Sequence, residues 1–215
     1  MARGFIDGEY EDNEIRGLGL VAGVRGYGKT CELVRLLNGC TGRVWFFDTL
    51  GTHGNLFKAP TVSQPDQLRK LVNARRVRYV PTSGDMADHF RRVCALARAV
   101  GNLVLGADEL DNFCDSSWGP KRMPPELNAI VQYGRHFRVA MLGVTRVPQE
   151  VARGYRSQCE RFLMFHTDDP DHLEALAKFC GQDIAAKLPS LPKYRYLQWQ
   201  KGISGAQMKG KVRKV

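Results

Sequence analysis

The sequence predicts an α/β fold in which a mainly parallel sheet is covered by helices on both faces. Short apolar runs alternate along the chain with segments whose apolar residues have helical spacing. A glycine-rich loop at residues 23–28 joins the first apolar run directly to a helix, and another apolar run ends in two adjacent acids at 108–109. Strands that alternate with helices of this length form parallel sheets that are buried on both faces.

The order of the elements follows from the same patterns. Apolar runs predict strands at residues 18–22, 43–48, 75–80, 102–109, 139–144, 161–166 and 193–200, and the last of these alternates as an edge strand does. Helices are predicted directly after the glycine loop and at 65–74, 85–100, 126–137, 148–158 and 170–181. Residues 49–60 and 111–125 are broken by glycine, proline and polar residues, which is typical of loops.

Length and composition predict one globular domain. The chain has 215 residues, 43% of them hydrophobic, so it can bury a sizeable core. We expect this domain at residues 17–200, an acidic segment at 1–16 and a basic tail at 201–215. No apolar run approaches the ~20 residues that span a bilayer, and the first residues lack a signal-peptide core. Six scattered cysteines without a C-x-x-C pair are typical of free thiols. These features predict a soluble, cytoplasmic protein.

The charge of the chain indicates a polyanionic partner. The formal net charge is +10, and clustered lysines and arginines attract phosphate backbones. The last fifteen residues carry basic side chains and no acid. A solvated tail explains such an end about as well as nucleic-acid binding does.

Residues 23–30 predict a phosphate-binding loop because they match G-x-x-x-x-G-K-[ST] without a mismatch. In this motif backbone N–H groups wrap a phosphate, and the positive end of the next helix points at it. The lysine reaches the β- and γ-phosphates, and the hydroxyl holds Mg²⁺. The motif therefore predicts ATP and Mg²⁺ as ligands, with contacts from Gly23, Val24, Arg25, Gly26, Tyr27, Gly28, Lys29, Thr30 and Cys31.

Asp108 and Glu109 end an apolar strand, as the acids of a Walker B element do. Ligands of open α/β sheets gather at the carboxyl ends of the strands, so these acids should face the glycine loop. Asp108 is expected to bind the Mg²⁺ water shell together with Thr30, and Glu109 to polarise the attacking water. An acid after a strand is also a common helix N-cap, which is the alternative here.

Polar and basic residues after the acids are further catalytic candidates. Thr145 directly follows a strand, where a sensor of the γ-phosphate is expected, although a capping threonine fits the same position. Residues 132–166 are rich in arginine. Most of these are expected on the solvated surface, but one arginine can reach the γ-phosphate of a neighbouring subunit. The candidates for that role in trans are Arg135, Arg156 and Arg161.

Three stretches carry a resemblance to a known family: residues 23–30, the strand that ends at 107–109, and above all YGRHFRVAMLGVTRVP at 133–148. They resemble the FtsK/HerA superfamily of DNA-pumping ATPases, and the likeness covers roughly residues 17–185. The small size is similar to the genome-packaging ATPases of tailless, membrane-containing viruses, with the Zot-like phage ATPases as near relatives. The resemblance implies a RecA-like core, a pentameric or hexameric ring, and translocation of double-stranded DNA.

The sequence departs from that family in two places. The family usually has Thr-Gln-Arg-Pro after the fifth strand, whereas here Arg146 stands in the glutamine position and a valine follows it. Sensing of the γ-phosphate must therefore fall to Thr145 or Arg146, or be weaker than in the family. Arg25 and Tyr27 also occupy loop positions where smaller residues are common, so Arg25 is a candidate phosphate contact.

Three functions remain as alternatives at this stage. The first is a viral motor that pumps DNA into a preformed capsid, where capsid-vertex or viral membrane proteins would be partners and the protein would become virion-associated. The second is a Zot-like assembly or secretion ATPase that handles single-stranded DNA or coat protein at a membrane. Such proteins usually carry a transmembrane segment after the core. The third is a nucleotide-gated switch, which Glu109 disfavours because a switch needs slow hydrolysis.

Overall fold

The computed structural model describes residues 17–82, 84–117, 123–203 and 206–209. Within these residues a sheet has the strand order β3-β4-β2-β5-β6-β1-β7-β8-β9. The strands are β1 (Leu18–Ala22), β2 (Arg43–Phe47), β3 (Thr61–Val62), β4 (Arg76–Tyr79), β5 (Leu103–Ala107), β6 (Val139–Thr145), β7 (Cys159–Met164), β8 (Tyr196–Gln200) and β9 (Ala206–Lys209). The first seven of these run parallel, and β8 and β9 are antiparallel to their neighbours.

Helices cover both faces of the sheet, as predicted. They are α1 (Lys29–Gly39), α2 (Pro65–Lys70), α3 (Met86–Val100), α4 (Pro125–Phe137), α5 (Arg153–Gln158), α6 (Pro170–Cys180) and α7 (Gln182–Ala185). The apolar face of α1 packs on one side of the sheet, while α3, α4 and α6 contribute to the core on the other side. Because successive side chains of a strand point to opposite faces, β2 contributes to the core on both sides of the sheet. Trp45 and Phe47 lie in one hydrophobic cluster and Phe46 in the other.

β1 lies in the middle of the sheet, between β6 and β7. Leu18 is in register with Met141 on β6 and with Cys159 on β7. Because the neighbours on both sides are parallel, β1, β2, β5 and β6 all end at the same edge of the sheet. The residues that follow these four strands therefore converge there.

The observed elements differ from the predicted ones in several places: α7 was not predicted, and α2 ends at Lys70 and not at residue 74. The short strand β3 lies in a stretch with too few apolar residues to predict a strand. The predicted helix at 148–158 is split into a 3-10 turn, Pro148–Glu150, and α5, because Val151 leaves the helical path to form a β-bridge with Asp115. The strand predicted at 193–200 begins only at Tyr196, and the edge of the sheet beyond it is formed by β9.

Some of the predictions fall outside the described residues. The acidic segment 1–16 does so entirely, as do residues 118–122 of the predicted loop and residues 204–205 and 210–215 of the basic tail. Among the helices of the part that the structure describes, none combines the length and apolar character needed to cross a bilayer.

Candidate active site

The glycine loop connects β1 to α1 through backbone conformations that residues with a side chain rarely adopt. Gly23, Gly26 and Gly28 have φ angles of 141°, 82° and 98°, a region that glycine adopts without steric cost. A Cβ atom at Gly23 would lie 2.7 Å from the Cβ of Phe165. The loop thus turns tightly against the residues after β7, where the Val24 N–H donates to the His166 carbonyl oxygen at 3.0 Å.

Lys29 begins α1, as predicted, and lies almost buried in the loop. Its Nζ donates a hydrogen bond to the carbonyl oxygen of Val24, 2.9 Å away. Burial lowers the pKa of the Lys29 ammonium from 10.5 to about 8, although the negative charge of Asp108 acts in the opposite direction. The ammonium is held where an anionic ligand in the loop would replace the missing solvation.

Thr30 and Asp108 meet as the two motifs predict. The Thr30 hydroxyl donates to Oδ1 of Asp108 at 3.1 Å. The backbone of Asp108 is fixed by the Thr49 hydroxyl, which donates to its carbonyl oxygen at 2.7 Å. A hydroxyl and a carboxylate are the hard oxygen donors that Mg²⁺ prefers, so this pair fits a magnesium ion bound beside a phosphate.

A second group of polar residues surrounds Asp108 from β2 and the loop after it. His53 Nε2 lies 3.0 Å from Oδ2 of Asp108, and this hydrogen bond raises the pKa of His53. Oδ2 of the fully buried Asp48 accepts from the His53 backbone N–H and lies 3.1 Å from Arg78 Nε. Ligand atoms of Asp48, His53 and Asp108 all lie within 4.8 Å of one another, so these residues could also hold a cation.

Part of this group was predictable from the sequence. Asp48 ends an apolar strand, just as Asp108 does, and parallel strands bring such positions to one edge. His53 and Arg78 carried no pattern of their own. Only the path of the loop after β2 brings His53 to Asp108.

Glu109 has a left-handed backbone, with φ 51° and ψ 51°, which non-glycine residues adopt rarely. Its carboxylate is held from two sides. Arg146 Nη2 lies 3.3 Å from Oε1, and Asn112 Nδ2 donates to Oε2 at 3.3 Å. Glu109 precedes a 3-10 turn at Leu110–Asn112, but its side chain makes no capping hydrogen bond there. The carboxylate instead faces the same pocket as Lys29.

Thr145 is fully buried at the end of β6, and its Oγ1 accepts a hydrogen bond from the Val147 N–H at 3.0 Å. This hydrogen bond is the capping contact that was considered as the alternative to a sensor of the γ-phosphate. The residue nevertheless lines the pocket beside Arg146, whose side chain is 47% exposed. Both positions for γ-phosphate sensing thus lie at the site.

The arginines predicted to act in trans lie elsewhere. Arg135 on α4 is 79% exposed and pairs with Glu160 at 2.7 Å. Arg156 on α5 donates to the Val151 carbonyl oxygen at 2.8 Å and lies over the Phe179 ring. Arg161 lies within β7. Within the described residues, the pocket that holds Lys29 is lined by none of the three.

The pocket has a volume of about 650 Å³, which suits a nucleotide. Its lining includes Arg25, which was predicted as a phosphate contact because it departs from the family's pattern, and Leu50, Thr52 and Tyr194, which were not predicted. Gly23, Val24 and Tyr27 were also predicted to contact the nucleotide, but they are not among the residues that line the pocket. The Tyr27 ring instead stacks on His166, with centroids 4.6 Å apart.

A buried carboxylate fixes α1 relative to the end of the sheet. Glu32 is 1% exposed and accepts a hydrogen bond from the Tyr196 hydroxyl at 2.8 Å. Arg35 binds both oxygens of the same carboxylate, at 2.8 and 2.6 Å. The helix that starts at the glycine loop is therefore tied to β8.

The fold is similar to that of several solved structures. The genome packaging NTPase B204 from Sulfolobus turreted icosahedral virus 2, in complex with AMPPCP, has a TM-score of 0.77 at 15% identity over 92% of this chain and 98% of that one. Its complex with ATP-gammaS has a TM-score of 0.75 at 15% identity, covering 90% and 97%. The N-terminal domain of zonular occludens toxin from Neisseria meningitidis has a TM-score of 0.53 at 15% identity, covering 92% and 95%.

No protein-family model and no curated protein sequence matches the chain. At the identities above the likeness concerns the fold, and it agrees with the resemblance carried by residues 23–30, 107–109 and 133–148. The chain therefore has a RecA-like P-loop fold.

Proposed function

We propose that the protein hydrolyses ATP to ADP and phosphate and uses the free energy to move double-stranded DNA. The observation that carries the ATPase proposal is the convergence of Lys29, Thr30, Asp108 and Glu109 on one pocket, with the Thr30 hydroxyl 3.1 Å from Asp108. A phosphate-binding loop and a following pair of acids in this arrangement are what phosphoryl transfer to water requires.

Each residue has a role in that reaction. Lys29 and the N–H groups of the loop bind the β- and γ-phosphates, and burial strengthens this attraction. Glu109 accepts the proton of the water that attacks the γ-phosphorus, and ADP leaves with the electrons of the broken P–O bond. Thr30 and Asp108 would hold Mg²⁺, which neutralises charge on the phosphate oxygens. Arg146, beside Glu109, would contact the γ-phosphate.

The finer proposal is a viral genome-packaging motor that pumps DNA into a preformed capsid. It is supported by the fold shared with the B204 packaging NTPase and by a formal charge of +10, which favours a polyanion. Partners at the capsid vertex or in a viral membrane would dock the motor. Its place would be the host cytoplasm and the virion.

The motor would act as a pentameric or hexameric ring. The side chain of Arg135 is 79% exposed, so it is available to a neighbouring subunit. Arg156 contacts the Val151 carbonyl oxygen and the Phe179 ring, so it could reach the γ-phosphate of a neighbouring subunit only after these contacts break. Arg161 is the third candidate. Retained hydrolysis after alanine substitution at all three positions would contradict a role in trans for this set.

A second candidate function is a Zot-like assembly or secretion ATPase. The likeness to the N-terminal domain of zonular occludens toxin supports it, although that TM-score of 0.53 is lower than the 0.77 of B204. Such a protein would handle single-stranded DNA or coat protein and would respond poorly to duplex DNA.

The steady-state rate of phosphate release, measured alone, with linear duplex DNA and with single strands, tests these proposals. Lys29→Ala serves as the blank because it removes the buried ammonium. Stimulation by duplex DNA that vanishes in the blank is the expected result. Turnover that ignores both kinds of DNA would contradict the DNA motor, and equal rates of wild type and blank would contradict ATP hydrolysis at this site.

A further inference from the structure

The pocket has two chemically different ends, and β1 lies between the strands that supply their residues. Asp108 follows β5 and His53 follows β2, which lie on one side of β1 in the sheet. Tyr194 precedes β8, on the other side of β1 and β7. All three residues line the same pocket. One end is thus acidic and the other carries an aromatic ring.

This arrangement fixes the direction of a bound nucleoside triphosphate. The terminal phosphate must lie near Asp108 and Glu109, where water can be activated. The triphosphate follows the loop past Lys29, so the nucleoside has to leave the loop away from the acids. Cys31, which follows the loop, and Tyr194, which precedes β8 on the far side of β1, both line this pocket.

Tyr194 is held in an unfavourable conformation at that end. Its φ angle is 67°, which is rare for a bulky residue and has an energetic cost. The turn before β8 is closed by the Arg195 N–H, which donates to the Pro192 carbonyl oxygen at 3.1 Å. The hydrogen bond from Tyr196 to Glu32 then fixes the start of β8 on α1. The aromatic ring is therefore anchored to the helix that carries the phosphate loop.

The geometry points to Tyr194 as the platform on which the nucleotide base stacks. This inference rests on the proposed ATP-binding function and adds the residue that recognises the base. Lys193 Nζ lies 5.5 Å from the centroid of the Tyr194 ring, so a cation already sits over this ring. Every base offers a π-face, so an aromatic ring in this position can stack on the base of the bound nucleotide.

Calorimetric titration with magnesium ATP and with magnesium tripolyphosphate, which has no base, separates the base contact from the phosphate contacts. Tyr194→Ala is expected to weaken ATP binding by about 5- to 100-fold, the usual effect of losing one base–aromatic stack. Its affinity for tripolyphosphate should equal that of the wild type. Tyr194→Phe should restore ATP binding, because the ring and not the hydroxyl makes the contact.

Tyr133→Ala is the matched control, since this tyrosine is 55% exposed on α4 and should leave both affinities unchanged. An equal loss of ATP and tripolyphosphate affinity in Tyr194→Ala would overturn the inference, because the residue would then act only through the loop. Unchanged ATP affinity would overturn it as well. Wild-type protein that binds neither ligand would contradict the proposed function and this inference with it.

Discussion

Arg146 lies with its Nη2 atom 3.3 Å from Oε1 of Glu109. The arginine occupies the place of the family's usual glutamine, and it pairs here with the residue proposed to activate water. A γ-phosphate at this position would compete with Glu109 for the guanidinium. Binding of ATP would then release the carboxylate to accept a proton, so the same arginine would join recognition of the γ-phosphate to activation of water.

Glu109→Gln should lower the rate of hydrolysis about 100- to 10,000-fold, because the amide cannot accept the proton of the attacking water. ATP binding should persist, since Lys29 and the loop remain. Phosphate release and calorimetric binding measure the two effects. Glu174→Gln, at a 63% exposed side chain far along the chain on α6, is the control. Unchanged turnover in Glu109→Gln would contradict the assigned role.

Arg146→Ala should weaken ATP binding about 10- to 100-fold, which corresponds to the loss of a hydrogen bond to a charged group. ADP lacks the γ-phosphate, so its affinity should stay near that of the wild type. Competition of both nucleotides against a fluorescent ATP analogue measures the difference. If both affinities fell equally, Arg146 would act on the loop as a whole and not on the γ-phosphate.

Cys31 should be the thiol that maleimides alkylate first, and ATP should protect it. It is half-buried and lines the pocket, whereas the other five cysteines are buried. Burial raises the pKa of the Cys31 thiol as well, but it raises the pKa of Cys114 to about 12 and that of Cys180 to about 11, which keeps these two thiols protonated and slow to react. Mass spectrometry of timed reactions at pH 8, with and without magnesium ATP, follows the labelling.

Two variants check the assignment of that label. Cys31→Ser should abolish the fast reaction, and Lys29→Ala should abolish protection by ATP. Equal labelling rates with and without ATP in the wild type would mean that the nucleotide does not cover this end of the loop.

Tyr196→Phe should lower the free energy of unfolding by about 1–3 kcal/mol, because a buried carboxylate loses one of its hydrogen bonds. Arg35 still binds Glu32, which keeps the loss within this range. Urea unfolding at neutral pH measures it. Tyr133→Phe removes an equivalent hydroxyl from an exposed ring and should have no effect. Equal stability of the two variants would show that the Glu32 contact contributes little.

The fold and the phosphate site were largely predictable because they rest on local patterns. The helix at Lys29 and the meeting of Thr30 with Asp108 follow from one motif and from the rule that parallel strands end at one edge. The split of the helix predicted at 148–158 was not predictable in this way. It depends on Val151 pairing with Asp115, a contact that the helical spacing of the segment does not encode.

The remaining site residues depend on loop paths. His53 reaches Asp108 only because the chain after β2 folds back over the edge of the sheet, held by the contact of its N–H with Asp48. Tyr194 reaches the pocket through a turn in which it has a positive φ angle. No sequence pattern predicts such a conformation for a tyrosine. Arg135 was predictable as an exposed arginine, while its partner Glu160 was not, since the two lie on different elements.

The central place of β1 also dictates when the site can form during synthesis. β1 pairs with both β6 and β7, so Leu18 finds its partners only after Met141 and Cys159 have been synthesised. At translation rates of roughly 5–20 residues per second, the emerging chain carries an unpaired β1 for on the order of ten seconds. ATP can therefore stabilise only a chain whose seventh strand has left the ribosome, and during that interval the apolar β1 is exposed to pairing with the wrong strand.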